Sequence, residues 1–266
     1  MSKFWTMNFK TLKRDLSFWI LVGCLVIFCS VTVDNMAYWA KDIMFQDYFC
    51  DTQLFEWCFL FPGLAVTFSA FYIGKGYRHN TIRNRILRGI KRENIYFSNL
   101  LTVFLVCLAF VLVYMLVIYV SARILKLDFY YSYDAVLIRL ALSLFPMFSF
   151  CCLCTAISMN IKNEIGSLIL GMAIMGAMLW LPDGSDFGYA YTNVFEKEFL
   201  EFMNAFLPMQ QFFSITDNFA VSDGYDQFNS MIKFSEIDAL LIPYALLSSA
   251  ISTVAGLLLF KKKNIN

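Results

Sequence analysis

The stretch GYRHNTIRNRILRGIKRENIYFSN, residues 76–99, lies between two long apolar runs and is the most basic part of the chain. On a helical wheel Ile82, Ile86 and Ile90, with Leu87 beside them, share one side, and Arg85, Arg88, Lys91 and Arg92 take the other. Asn80 or Thr81 is placed to cap the start of a helix, and Gly89 to stop it. The pattern predicts a short helix over about residues 80–88, with one apolar face, just beneath a membrane. A loop that only sets topology needs charge, but neither caps nor a terminal glycine. A coupling element, which carries a partner's movement into the membrane, needs an ordered helix. Charge alone does not separate the two, because phospholipid headgroups compete for the same arginines.

The flanking runs give the fold class. The chain is 59% hydrophobic and only 15% charged, with mean hydropathy +0.62, which excludes a disordered chain and argues against an ordinary soluble domain. A helix needs about 20 apolar residues to cross roughly 30 Å of hydrocarbon. Six stretches qualify, near residues 16–34, 54–73, 97–120, 135–158, 165–182 and 238–260. The expectation is one all-α integral membrane domain over 1–266, with six transmembrane helices. The fifth span is the shortest, with room to extend at its basic end. The first is too long for a signal-peptide core and lacks a small-residue cleavage site, so it reads as a retained helix.

Charge orients these spans. Residues 1–15, 74–96, 159–164 and 261–266 fall on one side and hold 15 of the 21 Lys+Arg but 3 of the 20 Asp+Glu. The opposite side holds 5 basic and 17 acidic residues, and Arg139 lies inside a span. The positive-inside bias therefore predicts cytoplasmic N- and C-termini. In residues 1–15, Trp5, Phe9 and Leu12 recur in phase with Leu16, with Lys3, Lys10, Lys13 and Arg14 elsewhere on the surface. This is the pattern of an interfacial helix, or simply of a basic flank. In the outer loop 183–237, FEKEFLEFMNAFLP sets Phe195, Phe199, Phe202, Met203 and Phe206 on one face and ends at Pro208. It reads as a re-entrant element tucked back into the bundle or as a surface cap.

The series Gly76, Asn80-Thr81-Ile82-Arg83-Asn84, Ile86, Gly89, Arg92, Ile95-Tyr96 and Ser98-Asn99 resembles the link between the second and third spans of ABC-2-type permeases, the transmembrane subunits of bacterial ABC exporters. Across the whole chain the architecture is similar as well: interfacial helix, six spans, coupling helix, and an outer element between spans five and six. The resemblance implies that two such subunits pair, as a homodimer or with a paralogue. It also implies that a separate ATPase subunit docks on Asn80, Thr81, Ile82, Arg83, Asn84, Arg85, Ile86, Leu87, Arg88 and Gly89. ATP and Mg are then expected on that partner. This chain has no G-x-x-x-x-G-K-[ST] phosphate loop, so it is not expected to be an enzyme or to bind a cofactor itself.

The remaining chemistry is sparse. The only histidine, His79, lies in the basic loop, which argues against a histidine-based metal or nucleophile site. CCLC at 151–154 sits in an apolar span, where packing explains the cysteines more simply than metal does. Arg139, near the outer end of the fourth span, is expected to snorkel or to pair with Asp134 or Glu56, or else to meet cargo. Pro62-Gly63 and Pro146 are mid-span breakers, hinges for a path or static kinks. Gly166, Gly171 and Gly176 mark close helix packing.

An interior with almost no charge suits amphipathic or hydrophobic cargo, peptides above all, moved partly along the bilayer lipid. A bacterial cell-membrane exporter is the first reading. The alternatives are a non-transporting immunity or sensor module docking the same kind of ATPase, and, least favoured, a membrane-embedded enzyme. Nothing in the pattern calls for a nucleic-acid partner. The topology makes one expectation directly measurable. Cys50 should react with a membrane-impermeant thiol reagent in intact cells. Labelling that appears only after lysis would invert the orientation.

Overall fold

The structure, a computed structural model, describes residues 16–39, 53–55, 57–127, 133–180, 206–209, 211–212 and 234–263. The expected interfacial helix before Leu16, Cys50, Glu56 and Phe195 to Met203 lie outside these residues. Among the described residues the main helices are α1 (Leu16–Trp39), α2 (Trp57–Arg78), α3 (Thr81–Leu87), α4 (Arg92–Ile124), α5 (Tyr133–Asn160), α6 (Glu164–Trp180) and α7 (Phe234–Lys262). Among the described residues there is no strand.

Five of these helices are long and apolar enough to cross a membrane: α1, α2, α4, α5 and α7. Helix α6 has 17 residues, about 26 Å at 1.5 Å per residue, a little short of the ~30 Å hydrocarbon core. It gains no length at its basic end, where a room to extend was expected. There α5 stops at Asn160, and Asn163 Oδ1 accepts the Ile165 amide at 3.1 Å. Helix α4 is the reverse case, with 33 residues, about 50 Å. Its ends carry Arg92 and Arg123, so it projects well past the apolar stretch 97–120 that announced it.

Helix α2 and helix α5 form the centre. Helix α5 packs on α2, α4, α6 and α7, its most extensive contact being with α7, and α2 adds α1 and α3. Three quarters of the apolar window of α2 is buried, against 28% for α1 and 28% for α7. The outward faces of α1 and α7 stay apolar: Ile20, Ile27, Ile251, Val254 and Leu258 are all exposed. A water-soluble surface does not carry apolar stripes of that extent, whereas lipid accommodates them.

Without a hydrophobic force between helices in lipid, close contact depends on small residues and shared hydrogen bonds. A Cβ on Gly171 would lie 2.6 Å from Val66 Cγ1, so α6 rests on α2 there. Gly166 and Gly176 have no such neighbour: the nearest to Gly166 is Ile161 at 3.4 Å, and nothing lies within 4 Å of Gly176. Only one of the three expected packing glycines therefore acts as one. A glycine the sequence did not single out makes another close crossing. A Cβ on Gly256 of α7 would lie 2.6 Å from Ala156 Cβ and 2.5 Å from the Tyr96 hydroxyl. Beside these contacts, Ser158 bridges Ser69 on α2 at 3.2 Å and Ser167 on α6 at 2.9 Å, and Ser149 meets Ser248 of α7. Cys151, Cys152 and Cys154 of CCLC are buried members of this core.

At the end opposite to α3, Phe212 from the segment after α6 is fully buried, 5.9 Å from Trp57 and 5.3 Å from Phe61. That part of the connection between α6 and α7 tucks back into the bundle. The chain bends at Leu207, and a new helical turn begins at Pro208, where Gln211 N donates to Leu207 O at 3.0 Å; the run before Phe206 lies outside the described residues.

Gly256→Leu should cost roughly 1–3 kcal/mol by forcing α7 off α5. Gly176→Leu should leave the thermal midpoint of the detergent-solubilised chain nearly unchanged. Equal losses for the two would contradict this packing.

Candidate coupling surface at the basic end

A seven-residue helix is barely stable by itself, so α3 needs anchors. Its N-terminal anchor is Asn80, at φ 54° and ψ 18°, a left-handed conformation that asparagine tolerates well. The expected side-chain cap is absent: neither Asn80 nor Thr81 caps α3 through its side chain. Asn80 works through its backbone instead, donating to Tyr77 O at 3.0 Å and accepting from Asn84 N at 2.9 Å. The Thr81 hydroxyl points back to donate to Gly76 O at 2.9 Å. The C-terminal anchor follows the expectation. Gly89 has φ 80°, Gly89 N donates to Ile86 O at 2.9 Å, and Ile90 N donates to Arg85 O at 3.2 Å. That pair of bonds is a Schellman motif.

The inner face of α3 is Ile82, 2% exposed, with Ile86 half-buried beside it. Gly76 makes room for Ile82, since a Cβ there would sit 3.2 Å from Ile82 Cδ1. Leu87 corrects the helical wheel: it is 74% exposed and does not join the apolar face. The outer face therefore presents Leu87 with Arg83, Asn84 and Arg88, all exposed. An exposed leucine flanked by guanidinium groups suits a partner groove that is apolar at its floor and acidic at its rim.

Arg92 also departs from the wheel. It does not join the basic face of α3. It opens α4, and its Nη1 donates to three carbonyls at the end of α7: Phe260 O at 3.0 Å, Lys261 O at 2.7 Å and Lys263 O at 2.8 Å. The last carbonyls of a helix lack partners within it and carry the negative end of its dipole, so a guanidinium there answers both. Around it, Lys261 pairs with Glu93 at 2.5 Å, and Tyr96 lies against Phe260. Lys263 Nζ donates to Met159 O at 3.0 Å and lies 4.2 Å from the Tyr77 ring centre. The Tyr77 hydroxyl donates to the same carbonyl at 2.5 Å. Asn160 Nδ2 reaches Gly256 O at 3.1 Å, and Arg78 pairs with Glu164 at 3.2 Å. The ends of α2, α4, α5, α6 and α7 are thus tied together directly beside α3. Burial, and then the nearby charge of Lys162, push the Lys263 ammonium down to about 8.

The intramembrane candidates are scattered by comparison. Pro62 and Pro146 are buried inside α2 and α5, which continue through them, and α7 carries a third such proline, Pro243. Gly63 has open space around its Cα. Arg139 is 4% exposed, so it does not snorkel to a free surface. Within Asn80 to Gly89, by contrast, Arg83, Asn84, Leu87 and Arg88 are exposed together on one short helix.

A family profile described as ABC-2 family transporter protein matches residues 6–177, well over half of the chain. The chain belongs to this family. No curated protein matches it, and no solved structure does. It is a membrane permease of the ABC-2 type, and membership implies partnership with an ABC ATPase subunit. The matched region contains α3 and all but the end of α6, while α7 lies beyond it. Several residues that build this end of the permease went unnoticed in the sequence: Tyr77, Asn160, Lys263 and the capping role of Arg92. The basic tail drew attention only as a topology signal. Its carbonyl partners are separated from Arg92 by 168 to 171 positions, which no local pattern reveals.

Two measurements check this geometry. Asn80→Gly should keep α3 in place, whereas Asn80→Val should loosen it by more than about 1 kcal/mol, read as faster amide exchange across 81–90. Lys263 binds its proton less tightly folded than unfolded, so its contribution to stability should rise from about pH 8 toward the ordinary lysine value of 10.5. The thermal midpoint of the native permease minus that of Lys263→Met should therefore grow across this window. Parallel curves would contradict the burial of its ammonium.

Proposed function

We propose that this permease is the membrane subunit of a bacterial ABC exporter, with its basic end and both termini in the cytoplasm of the cell. A second copy or a paralogue completes a translocation path of six spans per subunit, α6 serving as the fifth. A separate ATPase subunit, which holds ATP and Mg, docks on the outer face of α3, while this chain performs no hydrolysis. The observation that carries the reading is the surface of Leu87, Arg83 and Arg88 on a helix pinned at both ends by left-handed residues. A basic loop that only oriented the chain would need none of that order.

The cargo class follows from the interior. Arg139 apart, the centre of the bundle is apolar and aromatic, with serine hydroxyls spent on one another and on backbone carbonyls. An ionic cargo would need charged ligands along such a path, whereas an amphipathic or hydrophobic peptide would not. The aromatic group of Trp57, Phe61, Phe150 and Phe212 then closes the outer end and opens as the bundle rearranges.

The test is a mild-detergent pull-down of the tagged chain from its native cells. An ATPase subunit should co-purify in stoichiometric amount. It should be lost from Arg83→Glu/Arg85→Glu/Arg88→Glu, and from Leu87→Asp alone, with membrane insertion intact. A triple variant that keeps its partner at the native level would refute docking on α3.

A further inference from the structure

A cavity of about 360 Å³ opens at the basic end between the last turn of α2, the start of α3 and the start of α6, with Arg78, Asn80, Arg83, Lys162, Asn163 and Ile165 on its walls. That volume lies at the low end of small-molecule sites, about 300–1,000 Å³. It suits a headgroup and not a whole lipid.

The charge in the cavity is unbalanced. Its walls carry three cations and one acid, Glu164. Glu164 is already engaged with Arg78 at 3.2 Å. It is held there by Gly74, where a Cβ would lie 2.9 Å from Glu164 Cα. The carboxylate side chain is 13% exposed and the Arg78 side chain 62%, so the acid lies beneath and the guanidinium faces outward. Arg83 and Lys162 have no acidic partner among the described residues. Two positive charges on two different elements are therefore left facing one space.

The cavity also continues into an apolar surface. Ile165 lines it, and Ile165, Ile169 and Leu170 form an exposed strip on the outer side of α6, climbing away from the basic end. A free phosphate or a nucleotide has no use for such a strip. A phospholipid has both parts: an anionic phosphate for the cavity and an acyl chain for the strip. Basic pockets between membrane helices bind the head groups of anionic lipids.

We propose that this cavity binds the phosphate of an anionic phospholipid between Arg83 and Lys162, with an acyl chain laid along Ile165 and Ile169. The lipid bridges α3 to α6, two elements whose facing charges otherwise repel. It braces the short helix from the side opposite to Arg92.

The test uses the purified full chain with no ATPase present, so its outcome is independent of the docking reading. Native mass spectrometry reads retained lipid, with phosphatidylglycerol as probe, phosphatidylcholine as neutral control and inorganic phosphate as competitor. The native chain should hold one phosphatidylglycerol in preference to phosphatidylcholine. Arg83→Gln/Lys162→Gln should weaken that binding about 30-fold. Arg83→Lys/Lys162→Arg should restore it, which separates lost charge from lost folding. Ile165→Ser/Ile169→Ser should weaken it as well. Unchanged phosphatidylglycerol binding in the glutamine variant would overturn the proposal. So would displacement of the lipid by millimolar inorganic phosphate with the serine variant unaffected, because the occupant would then be free phosphate.

Discussion

The guanidinium of Arg92 closes the chain on itself. It follows the glycine stop of α3 by three residues, and it holds three carbonyls at the far end of the sequence. Those carbonyls lie at the negative end of the α7 dipole, and the guanidinium satisfies them there. Arg92 reaches them because α7 approaches α5 closely enough at Gly256 for the Tyr96 hydroxyl to lie over its backbone. The crossing and the cap depend on each other. A side chain at Gly256 would move the helix end away, and loss of Arg92 would remove the donor shared by its last carbonyls.

In the proposed exporter this arrangement lets a seven-residue helix carry force. Helix α3 is fixed by Asn80 on one side and by Gly89 on the other, and the next turn of chain is the anchor of α7. Pressure on Leu87 or Arg88 therefore reaches α4 and α7 without passing through a loose linker. From α7 it passes into α5, which packs on every other long helix except α1. In the proposed exporter the movement ends at the aromatic group around Phe61, where the segment after α6 inserts Phe212.

Much of this was legible in the sequence, and the failures have physical causes. Six apolar stretches located the long helices, because lipid demands a run of grease whatever the packing. Their ends were set too short wherever a helix continued through polar residues, as α4 does from Arg92 to Tyr96. Gly89 was readable because glycine adopts the left-handed stop without strain; the same stop at the end of α4 is made by Lys126, at φ 59°, which no sequence rule marks. Asn80 was placed correctly but given the wrong task, since a side chain able to cap a helix is also one that tolerates positive φ. Leu87 was misplaced because a two-turn helix is aligned by the one residue it buries, Ile82, and a wheel averages over all its apolar members. Of the glycines spaced five apart in α6, only Gly171 meets another helix closely; spacing states that close approach is allowed, and the partner helix decides where it happens. The tie from Arg92 to α7 was out of reach, because no local signal reports a contact made across most of the chain.

The account rests on α3, α4 and the end of α7 behaving as one body. Hydrogen–deuterium exchange of the full permease in lipid nanodiscs, native against Arg92→Met, tests that most directly. The account predicts that exchange accelerates together across 81–92 and 256–263, while the segment around Trp57 and Phe61 at the opposite end is unchanged. Faster exchange confined to the first turn of α4, with the end of α7 as protected as before, would contradict it.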